Sequence, residues 1–437
     1  MRRLLLVTIV GAALATALAA QENRVDLVTP LAPELARYGE HDIGVRTLHV
    51  TDKNRPDVLN TRDKAVTARY DRTLTLEAWY PAALAPGQRP GGDYRTITRD
   101  PAVMVTLHGK AVRDAPPLTS AGPFPLIVVS HGYPGNRYLM SHLCENLASK
   151  GFVVVSIDHR DSTYDDQQRF ASTLYNRAFD QLFVLNEIAR LGTAREGFLS
   201  GLVDADRTGI VGYSMGGYGV VNVVGGGYTD ASETLEVAPP NRLLAERAAS
   251  NPAYRKSIDP RIKAAIAIAP WGMPAGFWDA EGLKGISTPL MLVAGSVDDI
   301  AGYEKGARAI YNAAVNADRY LLTFVNAGHN AGAPIPAPAE TYAYSEALKS
   351  FPFTHYADPV WDTVRMNNIL DHFATAYFDL YLKGQQDKLR YLQMSPTGTA
   401  GVDARDTAPG APGNDPRWTG FTSRTAVGLI LEHAAAR

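Results

Sequence analysis

Six short apolar runs, at 126–130, 152–157, 210–211, 262–269, 290–294 and 320–325, recur along the middle of this chain with helix-compatible stretches between most of them. A run without polar alternation is what a strand buried on both faces requires, because every side chain then meets another layer rather than water. Between the runs, Leu174, Ala178, Leu182, Leu185 and Ile188 repeat at helical spacing before Gly192, which predicts an amphipathic helix over 173–191. Residues 138–150, 303–315 and 362–383 read as further helices, and 74–80 alternate like a strand until Pro81 stops them. Strand–helix alternation of this kind predicts an α/β architecture: a largely parallel sheet covered by helices on both faces. Ligands of such sheets bind at the carboxyl ends of the strands.

The run at 210–211 leads into Gly212-Tyr213-Ser214-Met215-Gly216, with a helix-compatible stretch after it. Gly-x-Ser-x-Gly between a strand and a helix is the setting of a nucleophile elbow, a sharp turn that lifts a serine hydroxyl clear of the sheet. Gly212 and Gly216 fall where the turn folds back on itself, so a Cβ there is expected to clash. Two further residues stand just past strand ends: Asp298 after 290–297, and His329 after 323–328. Serine, acid and histidine in that chain order suit a triad at one rim of an α/β sheet. Ser214 would attack, His329 would take its proton, and Asp298 would hold the imidazole in the right tautomer. Neutral His329 is required, so activity is expected near or above the ordinary histidine value of about 6.5. Adjacent Asp299 competes for the acid role; Ile300, tucked under the sheet edge, is expected to aim Asp298.

Acyl transfer also needs donors for a developing oxyanion. The backbone N–H of Met215, at the start of the elbow helix, is one candidate. The loop Ser130-His131-Gly132-Tyr133-Pro134-Gly135 supplies the other through Tyr133, since Pro134 has no N–H. His131 is expected to order that loop, and His108-Gly109 to be a decoy. Trp271, at the end of 266–270, is either a wall of the substrate pocket or part of the core. Asp158-His159-Arg160-Asp161 reads as local ion pairs. The lone cysteine, Cys144, sits in an apolar stretch and reads as a small core residue. No His-Glu-x-x-His, Cys-x-x-Cys or Gly-x-x-x-x-Gly-Lys string occurs, so neither a metal nor a cofactor is expected.

Composition sets the outer bounds. The 437 residues are 46% hydrophobic with a net charge of −2, which leaves no electrostatic footprint for nucleic acid. Arg2-Arg3, an apolar run from Leu4 to Ala19, and Ala17-Leu18-Ala19 form a leader pattern with cleavage expected near Ala19 or Ala20. The mature protein is then expected to be exported and to lack a membrane span. The remainder divides into an N-terminal extension over 21–68, a principal domain over 69–385 and a partly mobile tail over 386–437. Polar, Pro-containing insertions at 228–260 and 332–359 are expected as lid segments, and 85–125 as a surface excursion.

From 69 to 383 the chain resembles the α/β-hydrolase superfamily. Within it, the likeness is to the group of dienelactone hydrolases and platelet-activating-factor acetylhydrolases. The strings that carry it are 125–132, ending Ser130-His131-Gly132; 147–155, around Ser149-Lys150-Gly151; His159-Arg160-Asp161; and the elbow at Ser214. The resemblance implies the α/β-hydrolase fold, with an eight-stranded, mostly parallel sheet, and hydrolysis of carboxylic esters. It departs from the dienelactone hydrolases, whose elbow carries cysteine. It departs from the acetylhydrolases in having no carboxylate after 269–271, so the acid comes from the next strand end. The expectation is an exported serine hydrolase acting on a small-molecule or lipid-like ester. A peptidase or amidase with the same triad, and a binding protein that kept the fold without the reaction, are the alternatives.

Overall fold

The computed structural model describes residues 22–62, 66–393 and 418–437. The expected leader and the tail stretch 396–416 lie outside the described residues. Among the described residues twelve strands run in chain order: β1 (Asp42–Pro56), β2 (Arg69–Ala82), β3 (Gly92–Ile97), β4 (Met104–Gly109), β5 (Val112–Arg113), β6 (Phe124–Ser130), β7 (Val153–Asp158), β8 (Val203–Tyr213), β9 (Ile262–Ile268), β10 (Leu290–Gly295), β11 (Arg319–Phe324) and β12 (Leu429–Ala434). Ten form one sheet in the order β12-β11-β10-β9-β8-β6-β7-β2-β1-β5. The stretch from β11 to β7 is parallel throughout. Antiparallel pairs flank it on both sides, β2 with β7 and β1 with β2 on one, β12 with β11 on the other.

Among the described residues the sheet is therefore ten-stranded and mixed, where an eight-stranded, mostly parallel sheet is expected; its centre is parallel, and the extra strands and antiparallel pairs lie at its flanks. The difference lies at the edges. β1 comes from 21–68 and mixes buried Val45 and Val50 with polar Arg46, Thr47 and His49, a one-face pattern that continuous apolar runs do not reveal. β12 comes from the last residues described. The 85–125 excursion also holds more order than its glycines and prolines suggest: β3 and β4 pair antiparallel, with Tyr94, Val105 and Leu107 buried.

Helices α1 (Ser141–Ala148) and α4 (Thr363–Lys383) pack on one face, and α2 (Phe170–Gly192) and α3 (Met215–Val223) on the other. Strand β6 shows why its sequence is apolar from Phe124 to Val129: Ile127 and Val129 join the first core, Leu126 and Val128 the second. The Asp362 side chain caps α4 by accepting from the Arg365 N–H at 2.7 Å, and Gly384 ends it in the left-handed region at φ 69°. Among the described residues no helix is long and apolar enough to cross a membrane.

Two imidazoles in this core report on acid stability. His159 and His372 are buried. Burial first, then the positive charge of Arg177 for His159 and of Lys150 for His372, pushes each down to about 3. In the unfolded chain both titrate near 6.5. Between those values the unfolded state binds the extra protons, so stability is full above pH ~6.5 and is lost as pH falls toward 3. Each imidazole is expected to remove roughly 2 kcal/mol by pH 5, or about 4 kcal/mol together. Urea unfolding at pH 7.5 and pH 5 measures this directly; equal stabilities would mean that both rings accept protons inside the fold.

Candidate active site

Ser214 sits between β8 and α3 at φ 53° and ψ −112°, backbone angles an L-residue adopts only under constraint. The constraint is visible. The Ser214 N–H donates to the Ile268 carbonyl at 2.9 Å, and its carbonyl accepts from Tyr218 N–H at 2.9 Å and Trp271 N–H at 3.2 Å. The glycines around it have no room for a side chain. A Cβ on Gly212 would lie 2.2 Å from the Gly216 carbonyl oxygen, and one on Gly216 would lie 2.0 Å from that of Ser130.

The three residues spread over 115 positions of sequence meet at this rim. His329 Nε2 lies 2.9 Å from Ser214 Oγ, and its Nδ1 lies 3.0 Å from both carboxylate oxygens of Asp298. Asp298 Oδ1 also accepts from the backbone N–H groups of Ile300 and Ala301, each at 2.9 Å. Burial works against ionisation of Asp298, but the hydrogen bond and charge of His329 and these two N–H donors hold its carboxyl below the ordinary aspartate value. Asp299 is exposed and does not meet the ring. The Ile300 side chain is 59% exposed rather than tucked under the sheet; its amide, not its packing, aims the carboxylate.

The histidine loop is held from outside the triad. Tyr213 lies 5.2 Å from the His329 ring between centroids and donates its hydroxyl to Asn330 Oδ1 at 2.9 Å. Asn330 Nδ2 donates to the carbonyls of Thr354 and Ala357, at 3.0 and 2.7 Å. Asp358 Oδ2 accepts from the Gly328 N–H at 2.7 Å. Sequence reasoning missed Asn330 and Asp358. The Ala-Gly-His-Asn string draws the eye to His329, and nothing in it says that the 332–359 insertion returns to this loop.

On the other side of Ser214, buried Arg177 donates to the His131 carbonyl at 2.7 Å and to Ser162 Oγ at 2.8 Å, which fixes the loop leading to Tyr133. The His159 N–H donates to His131 Nε2 at 3.2 Å, while His131 Nδ1 lies 2.7 Å from the Gly132 carbonyl. These partners assign one neutral tautomer to a ring that burial pushes well below its usual value. Met215 opens α3, so its N–H has no partner within the helix. Among the described residues no backbone hydrogen bond engages the Tyr133 N–H.

A cavity of about 750 Å³ opens over the triad, lined among others by Ser214, His329, Tyr133, Arg99, Val297 and Phe351. Trp271 is not among its lining residues; its ring packs against Phe170 and Phe277 at 5.2 and 5.5 Å between centroids. The wall reading of Trp271 is thus replaced by a packing one, in which its amide steadies the elbow. None of the residues of the 228–260 insertion lines the cavity. Its aromatic rings are drawn onto α3 instead: Tyr228 stacks on Tyr218 at 5.3 Å, and the Tyr254 hydroxyl donates to the Asn222 carbonyl at 2.5 Å. The second insertion does reach the cavity, through residues 348–359. His108 lies on β4 against Asp93, outside the cavity, and Asp161 pairs with Arg72 at 2.8 Å. Among the described residues no group of three or more His, Cys, Asp or Glu is arranged to hold a metal ion.

A family model described as PET hydrolase-like matches residues 92–234, which hold Tyr133, Ser214 and Met215. The chain is related to the α/β-hydrolase superfamily. Among curated proteins this α/β-hydrolase relative is 27% identical to cutinase est1 of Thermobifida alba over 204 residues, 46% of this chain and 52% of that one. It is 27% identical to the bis(hydroxyethyl) terephthalate hydrolase of Streptomyces coelicolor over 229 residues, 52% of this chain and 57% of that one. The chain spans about half the length of the curated relatives it matches. A solved ferulic acid esterase from Streptomyces cinnamoneus shares the fold, with a TM-score of 0.52 at 20% identity over 83% of this chain and 94% of that one.

Proposed function

We propose that this chain is an exported serine hydrolase that cleaves carboxylic esters. One observation carries the reading: a single imidazole stands 2.9 Å from the Ser214 hydroxyl and 3.0 Å from the Asp298 carboxylate. In the proposed reaction Ser214 Oγ attacks the ester carbonyl carbon as His329 Nε2 takes the hydroxyl proton. The carbonyl oxygen becomes an oxyanion and is stabilised by the N–H groups of Tyr133 and Met215. The C–O bond to the alcohol then breaks, and His329 returns the proton to the departing oxygen. Water, deprotonated by His329, attacks the acyl-enzyme and releases the acid and Ser214. Throughout, Asp298 accepts from Nδ1 and stabilises the imidazolium.

The relatives named above act, by their names, on ester bonds of terephthalate, cutin and ferulate type, which favours an ester over an amide. Val297, Ile300 and Phe351 form an exposed apolar rim on the cavity, suited to an aryl or polymeric ester. Export rests on the leader pattern in 1–20 alone. The reading is tested with a fluorophosphonate probe, which is expected to label the intact protein once, on the peptide containing Ser214. A protein left unlabelled, or labelled elsewhere, would count against the assignment.

A further inference from the structure

The reaction above uses the triad and the oxyanion loop and leaves Arg99 without a role. Arg99 lies in the turn between β3 and β4 and lines the same cavity as Ser214 and His329. Its backbone is held from several sides. Thr98 N–H donates to the Val103 carbonyl at 2.9 Å, Ala102 N–H to Asp100 Oδ1 at 3.0 Å, and Arg99 N–H to the Tyr356 hydroxyl at 3.0 Å. Among the described residues, by contrast, no hydrogen bond or ion pair engages the guanidinium. Its Nη1 is closed off from solvent without a hydrogen bond, and among the described residues no carboxylate pairs with it. A donor in that state is costly unless something satisfies it.

The acids that share the cavity are accounted for. Asp358 Oδ1 accepts from the N–H groups of Val360 and Trp361, at 2.9 and 2.8 Å, and Oδ2 is taken by Gly328. Asp299 is exposed at the rim. His355, also in the cavity, is pushed down to about 3 by burial and then by the charge of Arg99, so it stays neutral; its Nε2 pairs with the Tyr164 hydroxyl at 3.1 Å. The result is a positive charge on a stiff turn, lining the cavity that contains the triad and paired with no carboxylate among the described residues.

We propose that Arg99 binds a carboxylate of the substrate, and that the site favours half-esters of dicarboxylic acids, with one carboxyl esterified and the other free. This rests on the ester-hydrolase reading and narrows it. With Nη1 closed off, the remaining Nε–Nη2 edge of the planar guanidinium, which no carboxylate engages among the described residues, matches a carboxylate edge to edge. Such half-esters are what the first cleavage of a diester leaves behind, so the reaction supplying this substrate would itself be an ester hydrolysis.

The test compares monomethyl terephthalate, which carries the free carboxylate, with uncharged dimethyl terephthalate, for the wild type, Arg99→Gln and Arg99→Lys. Arg99→Gln is expected to lower the half-ester to diester ratio of kcat/KM by about 10- to 100-fold, mainly through KM, as loss of a charge-assisted pair predicts. Arg99→Lys should recover part of the ratio, and it carries the comparison alone if the glutamine variant does not fold. An unchanged ratio, or equal losses on both esters, would overturn the proposal while leaving ester hydrolysis standing. Calorimetric binding of terephthalate to Ser214→Ala separates the two readings. If the wild type cleaves neither ester, the hydrolase reading falls. Terephthalate affinity about tenfold weaker without Arg99 then sustains the carboxylate site, and unchanged affinity removes it.

Discussion

Ser214→Ala is expected to abolish hydrolysis of p-nitrophenyl acetate, with turnover falling by about 10⁶ as in other serine triads. Alanine keeps the Cβ and removes only the hydroxyl, so the constrained turn at φ 53° is no worse satisfied than before. The backbone bonds to Ile268, Tyr218 and Trp271 do not involve the side chain. Unfolding in urea should therefore shift by less than about 1 kcal/mol, the scale of one lost hydrogen bond. Stability near the wild-type value with turnover gone is the combined result to look for. Residual activity above a few per cent would show that another group attacks the ester.

The second large effect is at Asp298. Asp298→Asn preserves shape but not charge. Its carbonyl oxygen can still accept from the Ile300 and Ala301 N–H groups, which turns its amide NH₂ toward His329 Nδ1. A ring facing a donor must carry its proton on Nε2, and then it cannot take one from Ser214. The loss should be on the order of 10⁴ in kcat. The depressed pKa of Asp298 gives the pH dependence its sign. A carboxyl held below its ordinary value stays ionised through the ordinary aspartate range, so acid loss of wild-type activity should not come from protonation of Asp298. Asp299→Asn, exposed on the rim, should change kcat by less than about threefold. If the two substitutions had equal effects, the acid would not be the residue that geometry singles out.

Much of this was legible in the chain. The central strands and the amphipathic helices could be read because burial on both faces leaves an unbroken apolar run, and burial on one face of a helix leaves a period. Ser214, Asp298 and His329 could be read because each follows such a strand closely, and strand ends in a parallel sheet share one rim. What escaped has a common cause. β12 is an edge strand and β1 is covered on its outer side only by the two residues of β5, so both are half wet and their patterns are diluted. The roles of Trp271 and of the 228–260 insertion depend on which surface a loop folds onto, and no local pattern records that. Arg99 lies in a stretch whose glycines and prolines suggest a surface excursion, yet it is carried into the cavity by a β-pair whose cross-strand register only the fold reveals.

The hydrogen bonds from Asn330 to the Thr354 and Ala357 carbonyls have a consequence for how such a protein can diversify. In the proposed reaction the cavity wall at 348–359 and the imidazole that moves the proton share a tether one residue from that imidazole. A segment transplanted into 348–359 would arrive with its own carbonyl placement and tilt the general base with it. Selectivity and speed are in this sense not modular: lineages that exchange this wall must readjust the residue after the histidine as well.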